Sequence, residues 1–574
     1  MTTGCDSIPR VHTVGRSREK ITGDQRTMVP IYDFTAKSSP CCESCPAGHD
    51  ISWSLHLVQH GRFDEAHRLF REESPFPSIT GRVCYHPCET SCNRKDYDEP
   101  ISINALERAM ADYGPVEVTR PEVKHPDKPV AVVGSGPAGC TVAYHLVRSG
   151  YPVTVFEREP ELGGVLRYGI PAYRLPRTVL DLEFERLKHL GIKFRTGASI
   201  GEALSWHDLE ARFKAVFLGI GKRFGAKLPV EGIDAVPSRT GLEFLRDVNT
   251  GGTTRLDGEV LVIGGGDVAI DVVRCAIRLG ARAVHLYCLE SRETMPAHPE
   301  EVSEALAEGL YFNPQWAAQK VEKTSEGRIR VEFRGVVRLE EDFRPVLNDR
   351  RTELLVDHLF YAIGQRADAT GFPEKLWENG VVKVDHAGRT ALPHVFAAGD
   401  VASTYNVVQA IASAKRAVIA IDCYLQNRDP ELLLRRAAIG GKGAVSMCAY
   451  RDLLGGPDGG GAPLDIINID RINLDYFSEA DRKHRPELEI GERVGFREVN
   501  GAFTREGAIQ EAHRCFNCSE CTVCGNCFIY CPDSAVVQRD DGFFAIDGDH
   551  CKGCGQCVHE CPRSAMTMVL EKER

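Results

Sequence analysis

The sequence predicts an α/β chain built on two doubly wound, nucleotide-type sheets with a small α+β domain at its C-terminal end. Three observations predict it. Apolar strands run into a glycine-rich turn and an amphipathic helix twice, from Lys128 and again from Glu259, and one cysteine pattern is written twice between Cys521 and Pro562. A chain of 574 residues has length for roughly four domains. A net charge of −11 without a basic patch argues against nucleic acid or an acidic membrane as a partner. No run of 18 apolar residues occurs, so no membrane span is expected. The first 30 residues hold Arg, Lys and Asp without an apolar signal core, so a cytoplasmic chain is expected. The 22 cysteines fall mostly at C-x2-C and C-x3-C spacings, which in a large chain of a reducing compartment indicate metal ligation rather than disulfides.

The first unit reads KPVAVVGSGPAGCTVAYHLVRSGYPVTVFERE from Lys128: strand, glycine turn, helix, second strand. Gly134, Gly136 and Gly139 complete a G-x-G-x-x-G fingerprint around Ala138, and Glu157 supplies the acid that follows about 20 residues later, where it can accept from ribose hydroxyls. Such glycines allow the tight turn, the approach of a pyrophosphate to the helix N-terminus, and close helix–sheet packing. The second unit reads EVLVIGGGDVAIDVVRCAIRLGARAVHLYCLE from Glu259, with Gly264, Gly265, Gly266, Asp267 and Val268 at the turn and Glu290 closing its second strand.

Two nucleotide folds and a later VFAAGDVAS segment indicate a flavin disulfide-reductase-like architecture, one fold for FAD and one for a nicotinamide cofactor. Gly399 and Asp400 are placed near the ribityl chain. Val407 to Ile411, with Gln409 and Ala410, are expected to start a helix beneath the flavin, where a helix N-terminus favours the reduced anion. The first unit carries no C-x4-C pair, and Cys140, Cys275, Cys288, Cys423 and Cys448 read as isolated core thiols. Hydride taken by the flavin must therefore leave as single electrons, and hydride transfer needs alignment rather than a proton-transfer triad, so no catalytic side chain is named.

The doubled pattern supplies the exit. Each half reads C-x2-C-x2-C-x3-C-P, and in two-cluster ferredoxin runs the fourth cysteine ligates the other cluster. One [4Fe-4S] cluster is thus expected on Cys521, Cys524, Cys527 and Cys561, and a second on Cys551, Cys554, Cys557 and Cys531. Zinc ribbons use C-x2-C pairs rather than such triplets.

Further strings carry a family resemblance: CCESCPAGHDI at Cys41 to Ile51, GRVCYHPCETSC at Gly81 to Cys92, and GGVLRYGIPAYRLP at Gly163 to Pro176. With GGGDVAID and VFAAGD, they make residues 40 to 425 similar to the small subunit of glutamate synthase. Related chains occur in dihydropyrimidine dehydrogenase and ferredoxin:NADP transhydrogenases, and the layout is closest to DsrL-type flavoproteins, which also carry an appended two-cluster domain. The resemblance implies an N-terminal α-helical Fe-S domain with up to two more [4Fe-4S] clusters, then FAD, bound in part by Gly164 and Arg167, then NAD(P)H.

The family's N-terminal run is C-x2-C-x4-C-x3-C-P, and here only its second half stands, as Cys41 and Cys45-Pro46. Upstream lies Cys5 alone. The string EAHRCFNC at residues 511 to 518 matches the missing start and carries Cys515 and Cys518. The missing half reads as moved to the front of the C-terminal domain, so that one cluster is expected to be split between the chain's ends, on Cys41, Cys92, Cys515 and Cys518, with Cys42 able to replace Cys41; the alternative is that Cys515 and Cys518 are free thiols and the N-terminal domain holds one cluster or none. Another would use Cys45, Cys84, Cys88 and, in the place of the family's Gln or Glu, Glu107. NADP-dependent relatives carry an Arg pair after the second strand of the nicotinamide fold, where this chain has Leu289 and Glu290 with Arg292 nearby. NAD(H) is expected over NADP(H), because a carboxylate repels a 2′-phosphate.

The expected domains are 1–125, N-terminal helical Fe-S; 126–250 with 365–430, FAD-binding; 251–364, NAD(P)H-binding; 431–505, a linker with short docking segments; and 506–574, ferredoxin-like. The expected function is an NAD(P)H:acceptor oxidoreductase exchanging electrons with a ferredoxin or a partner redox subunit, in a homo- or hetero-oligomer. A glutamate synthase small subunit and a noncatalytic electron wire are the alternatives. Eleven acids against six bases from Glu506 onward make a basic docking partner plausible, although an ordinary solvated face explains them too.

Overall fold

The computed structural model describes residues 28–32, 37–115, 117–341, 343–403, 406–455 and 461–570. Cys5 and part of the glycine-rich GGPDGGGAP run lie outside them. The described residues divide into two compact units. One gathers those of Met1–Val118, Val407–Arg485 and Ala502–Arg574, and the other Thr119–Asn406 with Pro486–Gly501.

The second unit contains both nucleotide sheets. The first is parallel, in the order Val395–Ala397, Ala215–Leu218, Val130–Val133, Val153–Phe156, Lys193–Arg195. Its first strand in sequence, Val130–Val133, is buried throughout, as a strand covered on both faces must be. It lies at the centre, so successive connections leave it on opposite sides, and that reversal opens a crevice at the strand's carboxyl end. The other sheet repeats the plan around Glu259–Ile263, in the order Ser238–Thr240, His358–Tyr361, Glu259–Ile263, Ala283–Tyr287, Tyr311–Asn313. Ser238–Thr240, expected with the first sheet, thus pairs in the second. An antiparallel meander of Trp316–Lys323, Ile329–Leu339 and Pro345–Val356 covers it through Val321, Phe333 and Val356.

In the first unit, the helices Ile51–Gln59, Phe63–Glu73, Pro77–Val83 and Ile103–Tyr113 share one core with Arg505–His513 and the start of Val407–Leu425. Leu55, Phe63, Phe70, Leu106 and Met110 are its centre. The C-terminal region has a hairpin, Val536–Gln538 with Phe544–Ile546. Its last strand, Met566–Leu570, pairs antiparallel with Met28–Tyr32 from the other end of the chain.

The stretch 431–505, read from composition as a tether with short docking segments, packs over more of its length than that reading implies. Helices Glu431–Ala437 and Met447–Leu454 lie in the first unit, where Tyr450 donates to Asp422. Pro486–Gly501 is a strap in the second, where Val499 N–H donates to Tyr173 O at 3.0 Å and Arg493 reaches Glu308 at 3.4 Å. Glycine and charge content suggested a solvated linker, but these specific partners give the segment a place. Among the described residues, no helix is long and apolar enough to cross a membrane.

Candidate functional site

The first glycine loop is held open by close backbone packing. A Cβ on Gly139 would lie 2.0 Å from Gly134 O, whereas one on Gly136 would meet nothing within 4 Å. The loop therefore packs tightly on the sheet side and leaves space at the N-terminus of helix Pro137–Arg148, where N–H groups and the helix dipole favour an anion. Glu157 is 5% exposed and organises this turn. Its carboxylate accepts from Ser135 N at 2.9 Å, Ser135 Oγ at 2.6 Å and Glu159 N at 2.9 Å. Ser135, which sequence reasoning passed over, also receives Gly163 N–H at 3.0 Å and so ties the fingerprint to the GGVLRYG segment. Gly164 follows directly, and a Cβ there would stand 3.3 Å from Gly136 Cα. Arg167 is anchored to Leu162 O at 2.6 Å and Asp181 at 2.5 Å. Gly399 and Asp400 follow the strand Val395–Ala397 of the same sheet. Gln409 and Ala410 lie in helix Val407–Leu425 of the other unit, Gln409 exposed and Ala410 buried.

The second loop is built alike. Gly264 has φ +144° and a Cβ there would meet Ala362 O at 2.4 Å, while Gly266 is open and precedes helix Asp267–Arg278. Val268 follows in the first turn of that helix. Asp267 accepts from His298 N at 2.9 Å. The Glu290 carboxylate lies against the loop, 2.5 Å from where a Gly265 Cβ would stand, and Arg292 is exposed.

In the C-terminal region, the structure draws the crossed cysteine sets together. Cys521, Cys524, Cys527 and Cys561 line one common void, and Cys551, Cys554, Cys557 and Cys531 line another. The halves match in detail: Ala535 N–H donates to Cys531 Sγ at 3.2 Å, and Ala565 N–H to Cys561 Sγ at 3.3 Å. Burial pushes Cys521 and Cys557 up to about 12, with the neighbouring thiols adding to it. Metal entering such a site displaces protons from neutral thiols.

Near the N-terminal helices, Cys45, Cys84, Cys88 and Glu107 line a common cavity. Burial pushes Cys45 up to about 12 and raises Cys84 and Cys88 well above the ordinary thiol range. Burial likewise pushes Glu107 up to about 8, opposed by a 2.5 Å hydrogen bond from the Thr80 hydroxyl. Cys45 lies near a buried ion pair, Lys415 Nζ to Glu73 Oε2 at 2.5 Å. Glu73 also accepts from Met447 N at 2.7 Å and Ser446 Oγ at 2.8 Å. Desolvation works against its charge, but Lys415 and these donors hold its carboxyl below the usual range.

A further group joins the two ends of the chain. Burial, then the nearby charges of Cys92 and Cys42, raise Cys515, and burial with Cys515 and Cys92 raises Cys518. Cys41 is raised first by its hydrogen bond with Cys42, which the same bond lowers, and the Ser39 hydroxyl lies 3.0 Å from Cys41 Sγ and 3.1 Å from Cys42 Sγ. Both adjacent thiols therefore face this group. Cys518 Sγ accepts from Asn93 Nδ2 at 3.2 Å and Cys515 Sγ from Asn517 N at 3.3 Å. Asn517 Nδ2 donates to Ser52 O at 3.1 Å, and Gln59 Nε2 to Ala512 O at 2.8 Å. Among the described residues, no three His, Cys, Asp or Glu side chains converge as they would on a single ion. The cysteines of the C-terminal repeat and of the Cys45, Cys84 and Cys88 set stand around voids instead, as a cluster of several irons requires. Among the described residues, twenty cysteines lie outside disulfides, whereas Cys448, expected to be isolated, is disulfide-bonded.

Two nucleotide loops and cysteine groups of cubane type define an iron-sulfur flavoprotein oxidoreductase. The chain belongs to the pyridine nucleotide-disulphide oxidoreductase family, whose description matches residues 128–418. Residues 34–117 match the 4Fe-4S cluster domain II of dihydropyrimidine dehydrogenase, and residues 520–566 a 4Fe-4S dicluster domain. The order is the one the resemblance to glutamate synthase small subunits implied. The chain is 33% identical to the NADP(+)-dependent formate dehydrogenase subunit beta of Moorella thermoacetica, over 84% of this chain and 70% of that one. It is 31% identical to the NADPH-Fe(3+) oxidoreductase subunit beta of Geobacter sulfurreducens, over 90% and 81% respectively. It is also 31% identical to the NAD-dependent dihydropyrimidine dehydrogenase subunit PreT of Escherichia coli, over 68% and 92%. The protein is thus an NAD(P)H-dependent oxidoreductase that works with flavin and [4Fe-4S] clusters in electron transfer.

Proposed function

We propose that this chain carries electrons between NAD(H) and a partner redox subunit through FAD and four [4Fe-4S] clusters. The observation that supports it most is the meeting of cysteines in groups: three sets line voids, and Cys92, Cys515 and Cys518 come together from opposite ends of the chain. The ligand sets are those of the crossed repeat, Cys45 with Cys84, Cys88 and Glu107, and Cys41 or Cys42 with Cys92, Cys515 and Cys518. When bound, the flavin accepts hydride and yields single electrons to the clusters.

The chain's own residues bind and orient. The open space at Gly136 and the N-terminus of helix Pro137–Arg148 receive the FAD pyrophosphate, and Glu157 keeps the turn in shape through Ser135. The turn at Gly264 to Gly266 receives the nicotinamide nucleotide. Glu290, held against that loop, disfavours a 2′-phosphate and supports NADH over NADPH. A partner subunit agrees with the relatives being subunits themselves. The C-terminal repeat is where it would dock, since Cys524 and Cys554 are exposed beside Phe528, Ile529 and Tyr530. Free thiols at nearly every cysteine support a cytoplasmic place.

Anaerobic addition of NADH should bleach the flavin band, and kcat/KM with NADH should exceed that with NADPH. A higher value with NADPH removes the nucleotide assignment, and an unchanged flavin spectrum with either nucleotide removes the catalytic one.

A further inference from the structure

The cavity of Cys45, Cys84, Cys88 and Glu107 contains a polar group that neither the sequence reading nor the proposed ligand set uses. His49 lines it and is 2% exposed. Neither ring nitrogen has a hydrogen-bond partner. Its ring stacks on Phe70, with centroids 4.1 Å apart and planes at 14°, and the rest of the wall around it includes Ile51, Ile103 and Val408. An imidazole left unpaired in such a wall bears the full desolvation penalty of its ring nitrogens, so its presence points to a partner that occupies the cavity. The backbone fixes the ring's place. Gly48 turns at φ +68° with its N–H on Cys45 O at 2.9 Å, and the His49 N–H faces the Cys45 sulfur. Of the other polar groups there, Glu107 already accepts from Thr80.

We propose that His49 donates a ring N–H hydrogen bond to a sulfur of the [4Fe-4S] cluster held in this cavity, and thereby makes that cluster easier to reduce than its apolar surroundings would. This rests on reading the cavity as a cluster site. Reduction adds one electron to the cluster and makes or breaks no covalent bond, and the proton stays on the ring. The added negative charge spreads over the sulfurs, so a fixed N–H in a dry wall favours the reduced form more than the oxidised one. A donor N–H exists in either protonation state of imidazole, so the effect does not depend on titration. His49 is a positioning and tuning residue, and turnover does not require it to react.

The test uses the full-length holoprotein with ¹⁵N-histidine labelling, His49→Leu, His49→Gln, and the double variant Cys84→Ser/Cys88→Ser. Iron and sulfide per chain, redox titration followed by EPR, and pulsed EPR of nitrogen couplings are the readouts. The expected result is full iron in both His49 variants and a histidine nitrogen coupling in the wild type that disappears in His49→Leu. One cluster in that variant should be roughly tenfold harder to reduce, or ~59 mV more negative for a one-electron couple, with much of the shift recovered by the amide N–H of His49→Gln. Unchanged midpoints with full iron in His49→Leu would overturn the inference, and so would loss of about four irons, which would make His49 a ligand. Unchanged iron in the double cysteine variant would instead overturn the cluster reading itself. His86 lines the same cavity, so the coupling is assigned to His49 by its loss in His49→Leu or, should that variant fail to fold, in His49→Gln, and a coupling that persists there would overturn the inference.

Discussion

In the C-terminal repeat all eight cysteines lie between Cys521 and Cys561, on two loops of one sequence pattern, and Cys524 and Cys554 reach the surface. The N-terminal groups are made differently. Asn93 and Cys518 meet across 425 residues of sequence, and around them Cys41, Cys42 and Cys92 are buried. A local motif can form wherever its loop closes, so it tolerates exposure. A group drawn from both chain ends forms only after the helices Ile51–Gln59, Ile103–Tyr113 and Arg505–His513 pack, and its ligation is inseparable from the fold of the unit.

That contrast predicts where the unit is fragile. Lys415→Met should cost about 3–5 kcal/mol in unfolding free energy, because it leaves Glu73 charged and buried. The matched change in the repeat, Lys552→Met, breaks a pair with Asp533 whose side chains are 56% and 31% exposed, and should leave the unfolding midpoint nearly unchanged, because water screens an exposed pair. Equal losses in denaturant titrations would break the comparison. Iron release to a chelator should be biphasic, with the repeat's share leaving several-fold faster than the buried share. A single phase would show that exposure of Cys524 and Cys554 does not govern access.

The smallest expected effect separates the repeat's own halves. Val523 has φ +55°, whereas the matching position in the second half is Gly553 at φ +75°. A β-branched residue in the left-handed region is strained by about 1–2 kcal/mol, and glycine returns about 0.5–1 kcal/mol of that as chain entropy. Val523→Gly should therefore stabilise the first loop by roughly 0.5 kcal/mol, read as a small rise in the midpoint of cluster loss. A fall would mean that Val523's packing outweighs its backbone strain.

The comparison also marks what the sequence could disclose. Both glycine loops and the crossed repeat were legible, because each needs certain residue types at fixed short spacings. The kinship of EAHRCFNC with the N-terminal run was legible through family resemblance, since a split motif keeps its pieces. The pairing of Met28–Tyr32 with Met566–Leu570 was not, for a two-stranded contact between chain ends leaves no local period. The packing of 431–505 was hidden by glycine and charge, which look alike in a linker, in a helix anchored by Tyr450 and in a strap held by Arg493. Ser135 and His49 were silent for another reason: a lone serine or histidine acquires meaning only from what surrounds it, here the Glu157 carboxylate and a cysteine-lined void.

The central claim is that the two ends of the chain build one cluster, and the most direct measurement is iron and acid-labile sulfide per chain in the wild type and in Cys515→Ser/Cys518→Ser. The account predicts roughly 16 irons in the wild type and about 12 in the variant, on the basis of four irons per cubane, with the EPR signals of the C-terminal repeat retained. Equal iron in the two proteins would contradict it.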